Sequence, residues 1–87
     1  MNDAERRFAE RLAADLEAVL GAGIAIDDVE LSVDKASASV KATLLIDGRI
    51  EAIEAEAPDL LGLYRPLMER AAEMRLAGAF WRMIGPT

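Results

Sequence analysis

Glu54 and Glu56 stand two residues apart, and Asp27, Asp28 and Glu30 cluster further upstream; these carboxylates are the residues with the most chemistry to offer. A carboxylate pair does general acid–base work when burial or a like charge tunes one member away from its ordinary pKa. Nothing around Glu54 and Glu56 predicts such desolvation, so a solvated strand face accounts for them. Asp27, Asp28 and Glu30 lack the regular ligand spacing and central glycine of a calcium loop. Gly21-Ala22-Gly23 is too short for a phosphate-binding turn and follows a helical stretch, whereas that motif follows a strand. Histidine and cysteine are both absent, which removes the commonest general base, the thiolate nucleophile and the usual transition-metal ligands. Lys35 and Lys41 are the only lysines. The expectation is a chain that is not an enzyme, with no catalytic residues, no metal and no cofactor.

Two groups point instead to binding. Arg65, Arg70, Arg75 and Arg82 are spaced along the last third of the chain, where they either solubilise an apolar helix or contact an acidic partner or RNA. Phe80-Trp81-Arg82-Met83-Ile84 gathers large apolar side chains around an arginine, the residue types enriched at contact centres, although core packing of Trp81 explains it equally well.

The elements that must carry these residues form one domain, 1–87, large enough for a single modest core. Hydrophobic residues at 53% with charged ones at 30% belong to a folded chain. The net charge is −6 and uneven: −2 over residues 1–20, −5 over 21–57 and +1 over 58–87. An acidic middle disfavours a broad phosphate-binding face and suits a partner with a basic surface. The charged N-terminal stretch has no apolar signal region, and no apolar run reaches the length of a membrane span. The expected location is the cytoplasm, with no membrane partner.

Asn2 and Glu5 have capping-box spacing, and Phe8, Leu12, Leu16, Val19 and Leu20 follow at helical spacing, predicting a helix over residues 3–20 that the glycines after Leu20 stop. The period then becomes two. Val29, Leu31 and Val33 predict one half-buried strand, and Ala38, Val40, Ala42, Leu44 and Ile46 a second. Asp47-Gly48 suits a two-residue hairpin turn, so a third strand runs back from Arg49 to about Ala57. That turn sets Leu45 opposite Ile50, Ala42 opposite Ile53 and Lys41 opposite Glu54. A three-residue loop pairing Ile46 with Ile50 is the other register. With the two-residue turn, Leu45 and Ile50 fall on the face away from the helices.

Ala57 to Ile84 reads as a long amphipathic helix. Pro58 suits its first turn, while Gly62 to Pro66 predicts a break or kink, with the main helix then starting near Arg65. Leu60, Leu63, Tyr64, Leu67, Ala71, Met74 and Trp81 make a core arc. Leu61, Met68, Ala72, Leu76, Ala79 and Met83 make a second row, so apolar character spans about 220° of the wheel against about 100° for an ordinary surface helix. An apolar surface that wide marks either cover by the chain's own loops or a contact with another molecule.

The fold class expected is α+β with αβββα order: a three-stranded antiparallel meander with two helices packed on one face. From about Glu5 to Leu76 the chain resembles the compact domain of ribosome hibernation-promoting factors, on Val29-Glu-Leu-Ser-Val-Asp-Lys35, Ala42-Thr-Leu-Leu-Ile-Asp-Gly48, Ile50-Glu-Ala and the acidic Asp59 opening the last helix. Nucleoid-associated proteins of the YbaB type share the αβββα plan. The resemblance implies ribosome or nucleic-acid binding. The residues themselves favour a small acidic protein-interaction module, homodimeric, occupying a surface of a larger protein or assembly, as a phage or prophage accessory or inhibitor protein does. Leu45, Ile50, Met68, Arg75, Leu76, Phe80, Trp81 and Met83 are the candidate partner-binding residues.

Overall fold

The computed structural model describes residues 2–21, 23–46 and 48–84, with side chains through Leu76. Its order is α1 (Asp3–Leu20), β1 (Ile24–Val33), β2 (Ala38–Ile46), β3 (Arg49–Ala57), a single 3-10 turn (Leu61–Leu63) and α2 (Tyr64–Ile84). The strands form one antiparallel sheet in the order β1-β2-β3, with both helices on one face. The αβββα expectation is borne out.

Helix α1 begins with a complete capping box. The Glu5 N–H donates to Asn2 Oδ1 at 2.8 Å, and the Asn2 N–H donates to Glu5 Oε2 at 3.2 Å. Two amides that a helix start leaves without a partner are thereby satisfied. Leu12, Leu16 and Leu20 form its buried stripe, flanked by half-buried Phe8 and Val19. The helix stops at Gly21, whose φ of +83° suits glycine and whose N–H donates to the Glu17 carbonyl at 2.9 Å.

Strand β1 starts at Ile24, five residues before the stretch that its simple alternation predicts. The pairing explains why. Ile26 lies opposite Leu44 and Asp28 opposite Thr43, so Asp27 is an extra residue in a β-bulge. The bulge shifts the phase by one, letting Ile26 and Val29 both pack toward the helices although they are three apart. The expected hairpin register holds throughout: Ile46 with Arg49, Leu45 with Ile50, Ala42 with Ile53, Lys41 with Glu54 and Val40 with Ala55. Gly48 has φ of +79°, as the tight turn requires; Asp47 lies outside the described residues.

Pro58 does not start a helix. Residues 58–60 bend, and the Asp59 carboxylate accepts the Gly62 N–H at 2.8 Å to open the 3-10 turn. Helix α2 then begins at Tyr64, which puts Pro66 in its first turn, where a missing N–H breaks no helical bond. Of the two readings of Gly62 to Pro66, the break is the one the chain adopts. Leu63, Leu67 and Ala71, spaced by four, are fully buried against the sheet, and Leu60 and Met74 pack beside them. Tyr64, expected in the same arc, is 37% exposed because its hydroxyl is held at the surface by α1. Trp81 lies beyond the described side chains.

Helix α1 packs over β1, α2 over β3, and the two helices touch. The central strand is therefore the best covered: Ala38, Val40, Ala42 and Leu44 are 3% exposed or less. Burying leucines of this kind contributes about 1.5–3 kcal/mol each.

Gly48→Val should cost about 1 kcal/mol or more, because a β-branched side chain resists positive φ. Lys41→Ala, on the face away from the helices, should change stability by about 0.5 kcal/mol at most. Urea denaturation of the two variants checks the pair; greater damage from Lys41→Ala would show that the outer face is covered.

Candidate interaction surface

The pleat sends alternate residues of each strand away from the helices. Paired across the sheet, they make rows. Ala25, Leu45 and Ile50 lie side by side nearest the β2–β3 turn, followed by Asp28, Thr43 and Ala52, then Glu30, Lys41 and Glu54, then Ser32, Ser39 and Glu56. The face thus grades from apolar to acidic. Leu45 is 42% and Ile50 72% exposed. Lys41, the only cation in these rows, lies opposite Glu30 on one side and Glu54 on the other. A shallow depression of about 260 Å³ lies over the acidic end, bordered by Glu30, Ser32, Lys41, Glu54 and Glu56.

Only part of the expected partner-binding set gathers here. Leu45 and Ile50 are adjacent, as the hairpin register requires. Leu76 is 69% exposed but stands on α2 in the helix layer, on the other side of the molecule. Met68 packs partly against the core. Arg75 donates to the Val19 carbonyl at 3.0 Å, binding α2 to the end of α1, where cations also complement the helix dipole. The side chains of Phe80, Trp81 and Met83 lie outside the described residues. Ala25 joins this patch through the alternation Ile24-Ala25-Ile26, which the bulge separates from the alternation beginning at Val29. Leu61, a member of the second apolar row, is 75% exposed in the 3-10 turn.

One polar cluster resembles a reactive arrangement. Tyr64 donates its hydroxyl proton to Asp15 Oδ2 at 2.6 Å, and Arg11 Nε donates to the same oxygen at 2.9 Å. Asp15 is held below the ordinary carboxylate pKa, first by the Tyr64 hydroxyl and then by Arg11. Tyr64 is raised, chiefly because its proton is held by Asp15, with desolvation adding to the effect. Arg11 is raised by the hydrogen bond and charge of Asp15. These shifts keep each group in its ordinary state near neutrality: carboxylate, phenol and guanidinium. That is the opposite of the tuning a catalytic acid or base needs, and the cluster acts as a tie between α1 and the start of α2. Glu54 and Glu56 share the open face as expected. Among the described residues there is no group of three or more His, Cys, Asp or Glu able to hold a metal ion, and no described helix is long and apolar enough to cross a membrane.

No protein-family model matches the chain, and no curated protein does. Among solved structures, the N-terminal domain of Protein Y from Thermus thermophilus is similar, with a TM-score of 0.63 and 22% identity over 85% of this chain and 81% of that one. The similarity is one of fold. It bears out the fold-level resemblance to hibernation-promoting factors that the strand and turn sequences carry.

Tyr64→Phe tests the tie through its pH dependence. Asp15, lowered in the folded state, contributes stability above its unfolded value of 3.8 that is lost as pH falls through the folded value. Tyr64, raised, contributes stability below its unfolded value of 10.0 that is lost as pH rises through the folded value. The stability difference between wild type and Tyr64→Phe should therefore form a plateau between these limits and shrink beyond either. A difference that stays constant across that range in denaturation experiments would assign the effect to packing alone.

Proposed function

We propose that this chain is a non-enzymatic binding domain that acts by occupying a surface of a larger assembly, docking with the sheet face its helices leave bare. The observation that carries this reading is the exposed Leu45 and Ile50 pair set beside the acidic rows of Glu30, Glu54 and Glu56. The apolar end offers area to bury and the acidic end offers charge to pair, the two ingredients a protein contact combines. The acid selects a basic protein surface and repels a phosphate backbone.

The resemblance to ribosome hibernation-promoting factors favours the ribosome as the assembly to test first, and the charge of the sheet directs that contact to basic ribosomal proteins. An RNA contact is the second reading, supported by the arginines of α2. Self-association through α2 is a separate proposal, supported by the exposure of Leu76 on its outer row and of Leu61 in the 3-10 turn before it. Leu76→Glu then lowers the sedimenting mass while circular dichroism stays unchanged.

Pelleting with purified ribosomes tests the main reading. Wild type should co-sediment. Leu45→Ser with Ile50→Ser should weaken binding by about tenfold or more, as loss of contact-centre residues does, and Glu30→Lys with Glu54→Lys should weaken it as well. Tighter binding by the lysine variant would transfer the contact to RNA, and absence of wild-type binding would remove the ribosome as the partner.

A further inference from the structure

Strand β3 is an edge of the sheet, and among the described residues nothing pairs with its outer side. An edge strand presents a row of backbone donors and acceptors that another chain can use. Here that edge borders a groove of about 710 Å³, with the stretch 52–56 on one side and Arg70, Glu73 and Met74 of α2 on the other. A strand edge facing a helix across an open groove is the geometry by which a domain accepts an extended peptide as an added strand.

We propose that the β3–α2 groove takes an extended basic segment of a protein partner as a fourth strand paired to β3. The side chains define the partner's pattern. Alternate residues of an added strand point to opposite faces. Those on the outer face lie beside Glu54 and Glu56, and those on the helix side meet Met74 and the edge of the core at Ile53 and Ala55. The segment that fits alternates basic with small aliphatic residues. Glu73 adds a third carboxylate to the groove against the single guanidinium of Arg70, so the charge favours a cationic occupant. A second copy of β3 fits worse. It carries Glu51, Glu54 and Glu56 against Arg49 alone, and like charges facing each other across a strand pair are unfavourable. The same carboxylates that keep identical edges apart select a basic strand.

This proposal rests on the reading of the chain as a domain for basic protein partners, but it uses a different surface from Leu45 and Ile50. The test is titration of isotope-labelled full-length protein with a short peptide alternating lysine and valine, followed by backbone amide shifts. Saturable shifts should map to residues 51–57 and to Arg70–Met74. Two versions of the peptide, N-methylated at alternate amides in opposite phases, separate strand pairing from charge attraction. One phase should bind nearly as well as the parent and the other about tenfold more weakly or worse, because only one set of amides faces β3. Replacing lysine by glutamate in the peptide, or making Glu54→Lys with Glu73→Lys in the protein, should each weaken binding by about tenfold. Equal binding by both methylated phases, shifts centred on α1 or β1, or no saturable binding overturns the proposal. If the peptide fails while ribosome pelleting still depends on Leu45 and Ile50, the groove alone falls; if the peptide binds and pelleting does not depend on them, the sheet-face reading alone falls.

Discussion

Two helices cover one face of a three-stranded sheet, and that arrangement leaves the opposite face and the outer edges to solvent or to another molecule. Helix α1 lies over β1 and α2 over β3, so β2 receives cover from both and its inward residues are almost wholly buried. The hydrogen bond from Arg75 to the Val19 carbonyl and the Arg11–Asp15–Tyr64 tie hold the two helices together as one layer. What this layer leaves uncovered is therefore a fixed consequence of the fold. The bare sheet face is solubilised at one end by carboxylates and carries aliphatic residues at the other.

The adjacent residues Leu44 and Leu45 show how closely that division depends on register. Leu44 is 0% and Leu45 42% exposed. Their chemistry is identical, and only the phase of the pleat separates them. The two-residue turn pins that phase, because a slip of one residue moves every side chain of a strand to the other face. Gly48 thereby governs both the core and the candidate contact: the turn that places Val40, Ala42 and Leu44 under the helices also sets Leu45 beside Ile50 on the outside.

The features readable in the sequence were those set by local chemistry. The capping box needed only Asn2 and Glu5 at the right spacing, the stripe of α1 only its period, and the hairpin register only Asp47-Gly48. The less readable features depended on tertiary cover. The bulge at Asp27 breaks the alternation of β1, and without the partner strand the phase shift between Ile26 and Val29 looks like a loop. The start of α2 turned on whether Pro58 or Tyr64 opened the helix, and the Asp59 carboxylate holds the Gly62 N–H in the bend that precedes it. Tyr64 has the period of a core residue, but its hydroxyl finds Asp15 on the other helix. The outer face was inferred through Leu45 and Ile50, whereas the groove beside β3 was not, because no single residue announces the gap between a strand edge and a helix.

The central proposal is that the assembly partner meets the sheet face of this domain and not the outer surface of α1. A photoactivatable amino acid placed separately at Ile50, on the sheet face, and at Glu10, on the exposed surface of α1, tests it in intact cells. The account predicts discrete protein adducts from position 50 and none from position 10. Adducts from position 10 alone would contradict it.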